Sequence, residues 1–327
     1  MSNVARKVYI NLLYNVKTLV SNPEWFLMRK ISRFHLIRDF VKRIIIQSNK
    51  LELLEFLEKH KSQKSQIFLN INVDKIIKNL EKEGIFQGIN LPTDIVNNIL
   101  EFALKTNCYG DHQYKFGFLF NEREKAELYY KRRFISAKYY NISQECQSIK
   151  EIESDPVLLE IAARYLKTKP LHIGTLMWWN FPINSEHQEY NKISSSTYHY
   201  DLDDYNSIKF FFYLTDVYIN NGPHVYIIGS HKNKKILHQL LRGRISEKDI
   251  ISYYGQENIL TICGSAGWGF VEDTFAVHQG TRPISQSRLI LQLNFASHDY
   301  NMENDWVNPI RLQGIFFGDE DYPQSQK

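Results

Sequence analysis

The stretch Arg288-Leu289-Ile290-Leu291-Gln292-Leu293-Asn294-Phe295 decides the fold class. Read as a strand, its period of two puts Arg288, Ile290, Gln292 and Asn294 on one face and Leu289, Leu291, Leu293 and Phe295 on the other. Outward from it, everything after Pro170 reads as short strands between polar turns: 171–181, 197–201, 207–215, 224–228, 258–263, 268–272, 275–278 and 287–296. Within that span only 232–254 returns to a helical pattern. So many short strands in about 130 residues predict a mainly β fold, a jelly roll or double-stranded β-helix of cupin type, with flanking helices.

Upstream of Pro170 the pattern is helical. Phe26, Leu27, Ile31, Phe34, Ile37, Val41, Ile44 and Ile45 recur at three- and four-residue steps, which predicts amphipathic helix from Pro23 to about His60. A second helix is expected over 73–83, stopped by Gly84 and followed by a short strand over 84–89. Thr93 reads as the N-cap of a helix through Ile95, Ile99, Phe102 and Ala103, and Asp155-Pro156 opens another. Residues 123–150 are charged and Tyr-rich without a clear period. The expected organisation is a basic helical extension over 1–75, a catalytic domain over 76–310 with its jelly-roll core at about 170–300, and a tail over 311–327.

Of 327 residues, 43% are hydrophobic and 23% charged, enough apolar material for a core and too much for a disordered chain. Cys108, Cys146 and Cys263, odd in number and without CxxC spacing, suit a reducing compartment and give no zinc site. Cys263 reads as a buried strand residue. No apolar run approaches the roughly 18 residues of a membrane span, so a soluble cytoplasmic protein is expected. The net charge of +4 is unevenly placed: residues 1–50 hold ten Lys/Arg against Glu24 and Asp39, a balance of +8, which leaves −4 for the rest. The basic arm has three readings: a helix packed on the barrel, a contact with an anionic membrane surface, or a protein contact. No recognition motif accompanies it, so nucleic acid is not an expected partner.

Chemistry enters at Tyr198-His199-Tyr200-Asp201. On a strand, residues 199 and 201 share a face, so an imidazole and a carboxylate stand side by side. A second imidazole from a distant strand would complete the two-His, one-carboxylate face of non-haem Fe(II) oxygenases. A His-x-Asp triplet arises about 0.5 times by chance at this composition, and His187-Gln188-Glu189 has the same spacing, though in a polar loop over 183–196. Context favours the first. Arg288 follows His278 by ten residues, and an Arg pointing into a barrel is costly unless it meets an anion, which its planar fork binds bidentately. A dicarboxylic cosubstrate held at one end by metal would supply that anion.

With these residues the chain resembles the phytanoyl-CoA dioxygenase-like Fe(II)/2-oxoglutarate-dependent oxygenases. The matching segments are His199-Tyr200-Asp201, Asn220-Asn221-Gly222-Pro223-His224-Val225-Tyr226-Ile227-Ile228-Gly229-Ser230-His231-Lys232, His278-Gln279-Gly280-Thr281 and Arg288. The similarity runs over about 80–300 and is strongest between 197 and 296. The resemblance implies Fe(II) on His199, Asp201 and His278, with 2-oxoglutarate and O2 as cosubstrates. It puts the distal carboxylate of 2-oxoglutarate on Arg288, with a hydrogen bond from Thr281 and Phe211 alongside. A small-molecule or lipid- or sugar-type metabolite would be oxidised as 2-oxoglutarate becomes succinate. Because Asp201 is retained where related halogenases carry a small residue, hydroxylation is favoured over halogenation.

Other positions have a plainer reading beside the sharper one. Trp178, Trp179 and Asn180 could touch substrate from the strand before the metal loop, with core packing as the simpler role. Asp203 could attract a cationic substrate, although Asp203 and Asp204 read first as solvated loop. Glu272 and Asp273 read as surface acids, and His231 as a turn cap rather than a fourth ligand. The segments 232–254 and 183–196 are expected to form a variable lid. The competing functions are a cupin-like metal-dependent sugar isomerase or epimerase and a non-catalytic jelly-roll binding protein.

Overall fold

The alternating 288–296 segment is a strand at the centre of the larger of the two barrel β-sheets in the computed structural model. The structure describes residues 9, 13, 15–182, 197–240, 245–302, 305–317 and 323–325. The strands in these two sheets are β1 (Ile85–Gln87), β2 (Cys108–Gly110), β3 (Gly117–Phe118), β4 (Ser136–Lys138), β5 (Leu171–Asn180), β6 (Ser207–Tyr213), β7 (His224–Ile227), β8 (Ile259–Ile262), β9 (Gly269–Glu272), β10 (His278–Gly280) and β11 (Arg288–Ala296). One sheet has the order β1-β9-β6-β11-β5-β4-β2-β3 and the other β10-β7-β8. Their pairings are antiparallel, and β11 sits between β5 and β6 with Arg288 opposite Asn180 and Gln292 between Leu176 and Phe211.

Period two separates two cores on this sheet. Leu289, Leu291, Leu293 and Phe295 join Phe210, Phe212, Met177 and Trp179 on the outer face, under helices that contribute Ile76, Leu80, Ile99, Leu158 and Ile161. Ile290, Phe211, Tyr213 and Phe270 face inward and meet Tyr226 and Ile262 of the small sheet. Two facing antiparallel sheets flanked by helices make a jelly roll, as the strand pattern predicts.

The helices are α1 (Pro23–Ile31), α2 (His35–Ser48), α3 (Lys50–His60), α4 (Val73–Glu83), α5 (Thr93–Lys105), α6 (Arg123–Tyr129), α7 (Ile142–Glu145), α8 (Gln147–Glu153), α9 (Pro156–Leu166), α10 (Ile236–Leu240) and α11 (Glu247–Tyr254). The expected long helix over 23–60 is therefore three, broken at 32–34 and at Asn49. Thr93 is the first helical residue rather than the cap; Pro92 occupies the cap position with no side-chain bond. The missing period in 123–150 reflects elements of seven, three, four and seven residues, too short to show one. The strand expected over 275–278 starts only at His278, because Asp273 turns the chain by accepting from Phe275 N at 2.9 Å and Ala276 N at 3.0 Å. The segment 232–254 forms two helices, while 183–196, with its competing His187 and Glu189, and 241–244 lie outside the described residues. In the tail, Ile315–Phe317 pairs with Pro323–Ser325. Cys263 is exposed, just beyond the end of β8, not buried as expected. Among the described residues, no helix is long and apolar enough to cross a membrane.

Gly84 ties α4 to the barrel. Its φ of +83° closes the helix in the left-handed region, and its carbonyl accepts from the Tyr226 hydroxyl at 2.8 Å. A Cβ here would collide with the Tyr226 hydroxyl and the His231 ring. We expect Gly84→Ala to lower unfolding free energy by about 2–3 kcal/mol in urea titration; a loss within error of zero would contradict this packing.

Candidate metal centre

His278 opens β10, and His199 lies across from it in an isolated antiparallel bridge. The two residues exchange both backbone hydrogen bonds, His199 N to His278 O at 2.9 Å and His278 N to His199 O at 2.8 Å. That pairing brings their rings to 4.5 Å between centroids. Two residues on, Asp201 N donates to Thr274 O at 2.8 Å and holds its carboxylate on the same side. His199 Nε2 is 3.8 Å from Asp201 Oδ1, and His278 Nε2 is 3.7 Å from Asp201 Oδ2. One ligand atom from each lies within 4.8 Å of the others, the only such group among the described residues.

The second nitrogen of each ring fixes its tautomer. His199 Nδ1 is 2.7 Å from Thr197 O and His278 Nδ1 2.9 Å from Ala276 O. A carbonyl only accepts, so Nδ1 carries the proton and Nε2 turns its lone pair toward Asp201. Burial, reinforced by His199, pushes the His278 pKa down to about 4, so its ring is neutral at pH 7. Burial alone would raise the Asp201 pKa, but Lys209, with His278 and His199, outweighs it and holds the carboxyl below the ordinary range. Lys209, buried on the inner face of β6, donates to Asp201 Oδ2 at 2.9 Å and pairs with Asp203 Oδ2 at 2.7 Å. Two imidazoles that present Nε2, with their Nδ1 atoms on carbonyls, and one ionised carboxylate form the donor set of a divalent transition metal bound on one face.

Beside the triad the inner wall is polar. His224 lies 5.5 Å, ring to ring, from both His278 and Phe211, and its Nε2 is 3.0 Å from Glu272 Oε2. Both are buried, and burial pushes Glu272 up to about 7 and His224 down to about 3. Arg288, also buried, donates from Nη1 to Gly222 O and from Nη2 to Asn180 Oδ1 at 2.6 Å. Asn180 Oδ1 accepts from Trp178 Nε1 as well, at 3.0 Å. Phe211 is on the inner face, its ring stacked 5.0 Å from Phe270. The Thr281 hydroxyl donates to Pro223 O at 2.6 Å, so its proton is used within the turn that carries Gly222.

Several sequence expectations are corrected. Trp179 faces the helices, with Nε1 donating to the Tyr139 hydroxyl at 2.8 Å and its ring 3.9 Å from Phe120, so it lies away from the barrel interior. Asp203 and Asp204 are buried rather than solvated: Asp203 is on Lys209, and Asp204 accepts from Ser297 and His298 backbone N–H groups. Glu272 and Asp273 are buried as well, not surface acids. His231 is buried beside Arg38, Lys42 and Asp273 in a cavity under α2, apart from the triad. Sequence reading also missed Lys209 and the His224–Glu272 pair. The signal for Lys209 was a lone charge within the apolar run 208–213, on the same strand face as Phe211 and Tyr213.

No protein-family model matches the chain, and no curated protein matches it. Among solved structures it is similar to HygX from Streptomyces hygroscopicus with nickel and 2-oxoglutarate bound, at 13% identity over 73% of this chain and 91% of that one, TM-score 0.48. It is similar also to the non-haem α-ketoglutarate-dependent carbocyclase SnoK from nogalamycin biosynthesis, at 13% identity over 71% and 86%, TM-score 0.46. A third is EctD from S. alaskensis with bound Fe, at 13% identity over 69% and 76%, TM-score 0.44.

Because the folded-state pKa of Glu272 is raised from 4.5 to about 7, its proton stabilises the fold. That contribution is full below pH 4.5 and lost as pH rises through 7. Glu272→Gln should therefore gain about 1–3 kcal/mol over the parent at pH 8.5 and little at pH 5. Calorimetric melts at the two pH values check this; equal shifts at both would refute it.

Proposed function

We propose that the protein is a non-haem Fe(II)- and 2-oxoglutarate-dependent dioxygenase that hydroxylates a small-molecule or lipid- or sugar-type metabolite. The observation that carries the reading is the triad itself: His199 and His278 with their Nδ1 protons committed to carbonyls, converging on an ionised Asp201. Bound there with 2-oxoglutarate, iron supplies the O2-dependent oxidation that couples cosubstrate decarboxylation to substrate oxidation.

The protein's role is positional. His199 and His278 hold the metal through Nε2, and Asp201 adds the one negative charge. Lys209 grips Asp201 Oδ2 and fixes the carboxylate plane. Arg288 takes the distal carboxylate of 2-oxoglutarate, its fork already oriented by Gly222 O and Asn180 Oδ1. Phe211 walls the cosubstrate chain, and Thr281 secures the 222–223 turn behind Arg288. Trp178 and Asn180 border the substrate space, while Trp179 and Asp203 serve packing and charge balance. Asp201 fills the position a halide would need, which supports hydroxylation over halogenation.

In this reading residues 1–75 are an extension, 76–310 the catalytic domain and 311–327 a tail. The free thiols of Cys108, Cys146 and Cys263 support a reducing, cytoplasmic setting.

Anaerobic addition of Fe(II) and 2-oxoglutarate should give one bound iron per chain and a visible metal-to-cosubstrate charge-transfer band. In air, iron-dependent release of labelled CO2 from 2-oxoglutarate should follow, lost in Asp201→Ala and His278→Ala. Arg288→Lys should weaken 2-oxoglutarate about tenfold while iron still binds, since Lys cannot form the bidentate fork. Turnover without iron would overturn the reading, and failure to bind iron would favour a binding protein instead.

A further inference from the structure

Helix α2 buries a charged residue and exposes an apolar stripe, although Val41 and Ile45 pack inward near Trp25 and Met28. Arg38 is 2% exposed, donates to Asp204 O at 2.9 Å and lies 4.0 Å above the Phe275 ring. His35, Asp39 and Lys42 line the same cavity, facing Asp273 and Tyr165. Its apolar stripe points to solvent: Leu36 is 86% exposed and Phe40 64%, with Ile37 and Ile44 exposed beside them.

The neighbours of α2 extend that stripe. His35 N donates to Gln239 Oε1 and Arg33 Nη1 to Leu240 O, which sets α10 against the start of α2. On α10, Ile236, Leu237 and Leu240 are exposed. Leu51 and Leu54 on α3, and Leu27 and Ile31 on α1, are exposed as well. An exposed apolar stripe with further exposed aliphatic side chains on the helix set against it marks an interaction site.

Charge selects the occupant. The first fifty residues carry a formal +8, and Arg43 on α2 and Lys50 on α3 are exposed. A second copy of the chain packed through the same face would set these exposed cations against their own copies. An anionic lipid surface offers apolar depth and negative charge together, which the α2 stripe matches where Arg43 and Lys50 edge it.

We propose that α2, with α10 and the ends of α1 and α3, docks the protein on an anionic membrane surface, inserting Leu36, Phe40 and Ile44 between headgroups. Arg38 and the cavity below it anchor α2 to the body from the opposite side, so the stripe is held outward without refolding. The inference is independent of the oxygenase reading, because it concerns the metal-free protein and none of the triad.

The test is flotation of the full-length protein with vesicles of phosphatidylcholine containing 30% phosphatidylserine, against phosphatidylcholine alone, with sedimentation equilibrium in parallel. Binding to the anionic vesicles is expected, weakened at least tenfold by 0.5 M NaCl and by the double change Leu36→Glu with Phe40→Glu. Both residues are exposed, so the variant should keep the parent melting curve. Absence of binding to the anionic vesicles, or binding that the double variant leaves unchanged, would overturn the proposal. So would a stable dimer that the double variant converts to monomer, which would assign the stripe to a second copy.

Discussion

The reciprocal backbone hydrogen bonds between His199 and His278 are the constraint on which the site rests. They join a segment outside the regular sheets to the first residue of β10, and so hold together two side chains separated by most of the barrel's length of chain. Asp201 continues the same pairing, its N–H donating to Thr274 O two residues beyond His199. Once these bonds are made, the Nδ1 contacts to Thr197 and Ala276 need no further segment: each imidazole is oriented by a carbonyl two residues back in its own chain. The ligand set is thus preformed by backbone geometry, which costs less side-chain entropy than one assembled from flexible groups.

Around that pairing the protein carries an unusual load of buried charge. Lys209 balances Asp201 and Asp203 from the inner sheet face, while Arg38 reaches in from α2 toward Asp204 and Asp273. Each of these groups would be costly alone, and each is tolerable because a partner of opposite sign lies beside it. The acids just after the metal-bearing segment and just before β10 are therefore interior groups. The basic arm is attached to them, so some of the arm's +8 neutralises some of the body's −4 inside the protein rather than across solvent.

How far the sequence revealed this depended on what kind of information it carried. Alternation over 288–296 was legible because the two faces of β11 differ in polarity even though both are buried. The helix over 73–83 and its stop at Gly84 were legible from local chemistry, as was the cap at Asp155, whose side chain accepts from Val157 N. The pairing of the donors at 199 and 201 was visible from spacing alone. By contrast, Glu272 and Asp273 looked like surface residues because nothing local announces His224, Tyr165 or Arg38 as partners. Periodicity in 35–48 showed that the helix has two faces and could not say which one turns inward. That choice was made by carboxylates 160 residues and more further along the chain.

The contact at Asn180 carries a consequence of its own. Trp178 Nε1 and Arg288 Nη2 can only donate, and both converge on the same oxygen. The amide therefore has one permitted orientation, with Oδ1 toward the guanidinium and its NH2 group turned the other way. A neutral acceptor at this spot steers the arginine without cancelling its charge, whereas a carboxylate in the same place would form an internal salt bridge. Replacing one nitrogen with oxygen would convert a guide for an incoming anion into its competitor, a difference of a single atom that leaves shape and packing almost untouched.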